Sequence, residues 1–207
     1  MASHDYVILV VGVPGTGKTT AAHLLSNILG CKSWNSSQLL RKLGLVERDP
    51  TGRKTYVIRD EELEAAAKVI LSTPGCSLLE TIYPLEWLSA GLEDHIPVIL
   101  LLRTHPVTLY NRLAEARKDW PKEKIIENVL AEAHNTLAEE LLKEEHYVIE
   151  VDTTGLSPME VVNAFLDRLE AWDTGIRIDW LARDPELVEL VARWSMQLDL
   201  DKYRFGY

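Results

Sequence analysis

The chain has 207 residues, of which 46% are hydrophobic and 26% charged, and a formal net charge of −10. That composition fits one well-buried globular domain with room for an appendage. It contains no apolar run of roughly 18 residues, which excludes a membrane-spanning helix, and its acidity argues against loose binding along a nucleic-acid backbone. A cytoplasmic protein without membrane or sequence-specific nucleic-acid contacts is expected, and a strand beginning at Tyr6 leaves no room for a signal or transit peptide.

Tyr6–Val11 is a short, β-branched apolar run of the kind that forms a buried parallel strand. Gly12 to Thr19 follow as Gly-Val-Pro-Gly-Thr-Gly-Lys-Thr, the complete G-x-x-x-x-G-K-[ST] pattern. Behind it Ala21, Leu24, Leu25 and Ile28 recur at helical spacing, and Gly30 stands where a helix stops. Strand, glycine loop and helix in this order aim backbone N–H groups and the positive end of a helix dipole at one point, which suits a dense negative charge. A nucleoside triphosphate is therefore the expected ligand. Gly12, Gly15 and Gly17 let the backbone curl close to the phosphates, with Thr16 between them. Lys18 is expected to reach the β- and γ-phosphates, the Thr19 hydroxyl to ligate Mg²⁺, and Thr20 to touch the α-phosphate.

Cys31 and Cys76 are too few and too far apart in sequence for a CxxC site, and buried free thiols are expected rather than a disulfide. A short strand is predicted at 32–34. Ser36 or Ser37 then caps a short helix, with Arg41 one turn inside. A guanidinium there either grips a monophosphate bidentately or faces solvent. The 61–72 stretch carries Leu63, Ala66, Ala67 and Ile70 on one helical face. Strands are predicted at 77–80, 98–102 and 147–151, separated by helices at 107–118 and 122–145. Asp152 to Gly155 form a strand-to-helix loop of the kind that flanks a bound base or simply turns the chain. Ser157-Pro158-Met159-Glu160 is a capping box with proline at the first helical position. After Trp172 the pattern changes. A turn at 173–175 leads into a helical stretch over 176–200, and the aromatic tail 203–207 is expected to dock.

The fold class expected is α/β: a doubly wound, five-stranded parallel sheet of order 2-3-1-4-5 over 1–172, with a C-terminal helical appendage over 173–207. Large GTPases and motor ATPases carry more sequence after the loop, so a chain of this size points to a nucleoside or nucleotide kinase. Such an enzyme needs a second site for the acceptor and a basic lid.

The order of short motifs resembles the adenylate kinase isoenzyme six family, small phosphate-loop NTPases linked to maturation of the small ribosomal subunit. The match rests on Gly12 to Thr20, on Leu102-Arg103-Thr104, on Leu109-Tyr110-Asn111-Arg112-Leu113, and on Lys124, Asn128 and Glu132 at four-residue spacing. The resemblance implies Mg·ATP as the cofactor and a monophosphate-binding segment over 35–58, in which Asn35 and Arg41 bind the acceptor. It also implies a short lid over 114–126 centred on Arg117, although Arg117-Lys118-Asp119-Trp120 is one residue longer than the family's Arg-Gly-aromatic. Glu80 matches the acidic residue after the third strand, a carboxylate for the Mg²⁺ hydration shell. The family's histidine two residues on is replaced by Ile82, which can neither exchange a proton nor orient water. Weak or altered ATP hydrolysis follows, while phosphoryl transfer, which depends on positioning and electrostatics, is expected to persist. The neighbouring Tyr83 is expected to pack.

The expected activity is transfer of the ATP γ-phosphate to a nucleoside monophosphate, with AMP the expected acceptor and Lys18, Glu80 and Arg117 carrying the chemistry. The alternative is an ATP-switched assembly factor that binds a basic ribosomal protein of the small-subunit platform.

Overall fold

The computed structural model describes residues 6–45, 47–48, 56–57, 59–143 and 145–205, with side chains placed for 6–45, 59–143 and 145–198. In chain order the elements are β1 (Tyr6–Val11), α1 (Lys18–Leu29), β2 (Lys32–Asn35), α2 (Ser36–Lys42), β3 (Glu47–Arg48), β4 (Tyr56–Val57), α3 (Asp60–Leu71) and β5 (Cys76–Thr81). The short α4 (Pro84–Trp87) and irregular helical turns over Leu88–Leu92 and Glu93–His95 lead to β6 (Ile99–Arg103). Then come α5 (Pro106–Ala116), α6 (Lys122–Ala133), α7 (Thr136–Leu141), β7 (Val148–Asp152), α8 (Pro158–Glu170), α9 (Trp180–Arg183) and α10 (Pro185–Phe205).

Five strands form one parallel sheet in the order β2-β5-β1-β6-β7, which is the expected 2-3-1-4-5 arrangement. Alternation along β1 shows why it is sandwiched. Val7, Leu9 and Val11 face one layer, built with α2, α3, α4 and α7, while Ile8 and Val10 face the other, built with α1 and α8. A third apolar cluster joins α5, α6, α9 and α10 to Val13 of the glycine loop. Within the 35–58 segment, β3 and β4 pair antiparallel, Glu47 opposite Val57 and Arg48 opposite Tyr56, while 46, 49–55 and 58 lie outside the described residues. The tail at 203–207 is helical as far as Phe205, and its last two residues lie outside the described part. Among the described residues no helix is long and apolar enough to cross a membrane.

Four local expectations are corrected. Cys31 and Cys76 are not free thiols but form a disulfide with a Cα–Cα distance of 4.7 Å. Parallel pairing sets Lys32 opposite Ser77, so the two residues just before them are neighbours across β2 and β5 despite a sequence separation of 45. The cap of α2 is Asn35, whose side chain accepts from Gln38 N at 2.9 Å, rather than Ser36 or Ser37.

The long helix expected over 122–145 breaks after Ala133, with Asn135 in the left-handed region at φ 58°. The buried Arg103 guanidinium takes Asn135 Oδ1 at 2.6 Å and the Glu132 carbonyl at 3.3 Å, pulling the turn out of helical register. The C-terminal stretch is likewise two helices. Asp179 caps α9, and Pro185 restarts the chain as α10 because it lacks the N–H needed to continue a helix.

Two capping devices hold the return from β7. Ser157 and Glu160 form the expected reciprocal box at the start of α8. Beyond α8, Gly175 N donates to Val148 O at 2.7 Å and makes a parallel bridge with Ile149 along the sheet edge.

Candidate active site

The carboxyl ends of β1, β5, β2 and β6 meet beside the glycine loop, the place where an open parallel sheet offers a crevice. Two glycines are required here by contact. A Cβ on Gly12 would lie 2.6 Å from the Leu102 carbonyl oxygen, and one on Gly15, at φ 91°, would lie 2.8 Å from Leu109. The loop is thus pressed against β6 on one side and α5 on the other. Its own hydrogen bonds converge on one acceptor: Val13 O receives Thr16 Oγ1 at 2.9 Å and Lys18 Nζ at 3.0 Å. Gly17 begins α1 without a side-chain cap, so the first-turn N–H groups remain available to an anion.

Lys18 is half-buried, and loss of hydration lowers its pKa to about 8, against the opposing pull of the Glu80 and Glu132 carboxylates. A phosphate placed over the loop would add negative charge and hold the ammonium form.

Glu80, the last but one residue of β5, is a buried carboxylate with both oxygens engaged. Thr19 Oγ1 donates to its Oε2 at 2.7 Å, and Asn35 Nδ2 donates to its Oε1. One carboxylate therefore ties the phosphate loop to the residue that caps α2. The predicted Thr19, Glu80 and Asn35 are brought together. A hydroxyl and a carboxylate in contact are hard oxygen donors of the kind that hold Mg²⁺ together with substrate phosphates and waters. The residues present fit that ion.

The predicted arginines hold other partners. Arg41 is exposed, with its Nε donating to Ser37 O at 2.9 Å. Arg117 follows the end of α5, its guanidinium 5.6 Å from the Trp120 ring, where Lys124 Nζ also sits at 4.2 Å. Tyr83 does not pack as expected: it is half exposed, beside the half-buried Ile82.

Arg112 was not singled out as a site residue, whereas Thr153 lies in the 152–155 loop expected either to flank a bound base or to turn the chain. A cleft of about 290 Å³ runs from Gly15, Thr16, Gly17 and Thr20 to Arg112, Thr153, Leu156, Pro158 and Val161. Arg112 is braced on the loop after β7, with NH1 on Thr153 Oγ1 at 3.1 Å and NH2 on Thr153 O at 2.9 Å. The signal for it was its place in Leu-Tyr-x-Arg-Leu, but only the fold brings α5 against the 152–155 loop.

Behind the cleft lies a buried ionic network. Arg103 bonds Glu132 at 2.8 Å and Glu150 at 2.9 Å, all three side chains within 3% of full burial. Every buried side-chain polar atom among the described residues is partnered.

The family model described as AAA domain matches residues 8–135. A Pyrococcus furiosus protein named "Putative adenylate kinase" is 32% identical over 197 residues, covering 88% of this chain and 95% of its own. A Saccharolobus solfataricus protein of the same name is 31% identical, covering 78% of this chain and 82% of its own. The chain belongs to this family. Among solved structures, shikimate kinase from Acinetobacter baumannii superposes with a TM-score of 0.59 at 16% identity, over 82% of this chain and 95% of that one, so the family shares the architecture of phosphate-loop kinases.

Proposed function

We propose that the protein transfers the γ-phosphate of Mg·ATP to a nucleoside monophosphate, with AMP the preferred acceptor. The observation that carries this reading is the Thr19–Glu80–Asn35 junction, in which one buried carboxylate links the phosphate loop to the strand end where the acceptor segment begins. The names of the archaeal relatives support the acceptor class.

In this reading the loop N–H groups from Gly15 to Thr20 cradle the phosphates, and Lys18 neutralises charge that builds on the β,γ-bridge. Arg112, Thr153 and Leu156 border the base. Thr19 and, through its water shell, Glu80 would hold magnesium, which would supply positive charge to offset that of the phosphates. Asn35 and Arg41 hold the acceptor phosphate, whose ionised oxygen forms the new O–P bond as the bond to the ADP oxygen breaks. No proton need be removed from that nucleophile. Arg117 leaves the Trp120 face to meet the transferring group, as a lid of 114–126 closes over it. The reacting groups belong to the 1–172 domain, and the reaction takes place in the cytoplasm.

A second reading is favoured by the net charge of −10, which suits a basic partner, while Ile82, which removes the water-orienting side chain, argues against an efficient ATP-driven release cycle but not against binding. On it, ATP switches the binding of a basic small-subunit ribosomal protein, with weak hydrolysis only. The test is ADP production from Mg·ATP, alone and with each of AMP, CMP, GMP and UMP. Production that depends on AMP supports the kinase reading. Production indifferent to every monophosphate, with ATP-dependent capture of the ribosomal protein, replaces it by the second.

A further inference from the structure

The last apolar cluster holds an unusual member. Val13, whose carbonyl accepts both Thr16 and Lys18, packs in the same core as Ile178, Trp180, Leu187, Val191 and Trp194 of the C-terminal segment. The phosphate loop therefore shares one apolar core with residues of the C-terminal segment.

Polar contacts run the same way. Trp180, 4% exposed, donates its indole N–H to Glu132 Oε1 at 2.8 Å. The same oxygen receives Thr104 N at 3.1 Å and Arg103 Nε at 2.8 Å. Thr104 Oγ1 then meets Thr153 Oγ1 at 2.6 Å, and Thr153 carries the cleft residue Arg112. A second path starts from the edge of the same indole, 5.3 Å from the His105 ring, and His105 N donates to Thr154 Oγ1 at 2.8 Å. Asp184 Oδ2, between α9 and α10, holds His105 Nε2 at 3.1 Å. Both paths end on the loop after β7 that borders the cleft. Glu132 also bears electrostatically on Lys18.

We infer that the C-terminal helical segment is a working part of the nucleotide site, and that Trp180 is a positioning residue that sets Glu132, Thr104 and the 153–154 loop for ATP. The inference rests on the ATP reading above. A passenger appendage would pack on the outside of α6 through apolar contacts alone. This one supplies the third donor to a buried carboxylate whose other donors sit at the end of β6. Whatever displaces α9 and α10 must change nucleotide affinity, and by linkage ATP must oppose that displacement.

The test is calorimetric ATP titration and thermal melting of the full chain with Trp180→Phe, which keeps the ring and loses the donor. Leu198→Ala, which trims the same cluster far along α10, is the control for stability. Trp180→Phe is expected to raise the ATP Kd by about five-fold, the effect of one lost buried hydrogen bond. Leu198→Ala is expected to lower Tm as much or more while leaving Kd unchanged. Should Trp180→Phe fail to fold, Asp184→Asn, on the exposed side of the His105 contact, is expected to raise Kd in the same direction. Wild-type protein that binds ATP while both site variants bind it equally well overturns the inference alone. So does a Kd that simply follows Tm across the variants. Wild-type protein that takes no ATP overturns the nucleotide reading, and the inference with it.

Discussion

Thr19 Oγ1 lies 2.7 Å from Glu80 Oε2, joining the first turn of α1 to the end of β5. The pair holds two hard oxygen donors at the edge of the phosphate loop, with Asn35 on the other carboxylate oxygen. Glu80→Gln keeps the shape and one acceptor oxygen but removes the charge. ADP formation should fall about a hundred-fold, as when one preorganised electrostatic group is lost, and the Mg²⁺ concentration for half-maximal rate should rise. ATP binding without metal should change little. A Mg²⁺ titration of the initial rate checks this, and an unchanged metal requirement would remove Glu80 from the site.

Lys18 gives a pH signature of opposite sign for stability and binding. The folded chain releases this proton near pH 8, whereas an exposed lysine holds it to 10.5. Between those values the unfolded state binds more protons, so the stability of the nucleotide-free protein rises with pH. Below pH 8 the buried ammonium exacts its full cost. ATP affinity runs the other way and falls as pH passes 8, because the phosphates need the ammonium. Lys18→Met should therefore stabilise the free protein by about 1 kcal/mol at pH 7 and abolish ATP binding. Melting and titration at pH 7 and 9 measure both.

The Arg103 guanidinium lies between the Glu132 and Glu150 carboxylates and bonds both. Arg103→Met leaves two buried acidic groups facing each other, and should cost about 3–5 kcal/mol in urea unfolding. Glu150→Gln, which still accepts from Arg177 N and Ile178 N, should cost much less. Equal losses from the two would show that the ion pair is not what holds this junction.

Reduction of Cys31–Cys76 should lower stability without touching the glycine loop, since the bridge sits at the opposite, amino-terminal ends of β2 and β5. A closed loop with a sequence separation of 45 stabilises by about 4 kcal/mol in the chain-entropy account. Urea midpoints with and without reductant, beside ATP affinity at low urea, separate the two effects. A shifted affinity with an unshifted midpoint would contradict this assignment.

What was legible in the sequence is what local pattern encodes. The Gly12–Thr19 loop, the apolar runs of the sheet and the Ser157 capping box each declare themselves within a dozen residues, and the strand order came with the kinase-type fold they point to. What was hidden depends on register or on distant partners. The Cys31–Cys76 pairing needs the alignment of β2 with β5. The break at Asn135 needs a guanidinium from β6, 32 residues earlier. Arg112 became a cleft residue only when the loop after β7 reached it. Periodicity over 122–145 gave no hint of the break, because Leu137 and Leu141 keep the apolar stripe going on the next helix, though α7 turns Leu141 to a different layer from most of α6 and sets Leu137 against both.

The turn at Gly175 has a consequence for solubility. A parallel sheet ends in two rows of unpaired backbone groups, each a template for another chain. Along β7, Val148 O is taken by Gly175 N and Glu150 O by the Arg168 guanidinium, so that border is occupied by the protein's own return path. At the other border β2 is four residues long and begins with Lys32, whose ammonium lies 4.1 Å over Trp34. Proteolysis between Glu170 and Gly175 would release Gly175 and bare Val148 O while Arg168 still holds Glu150 O, so half of this border would open to pairing with another chain.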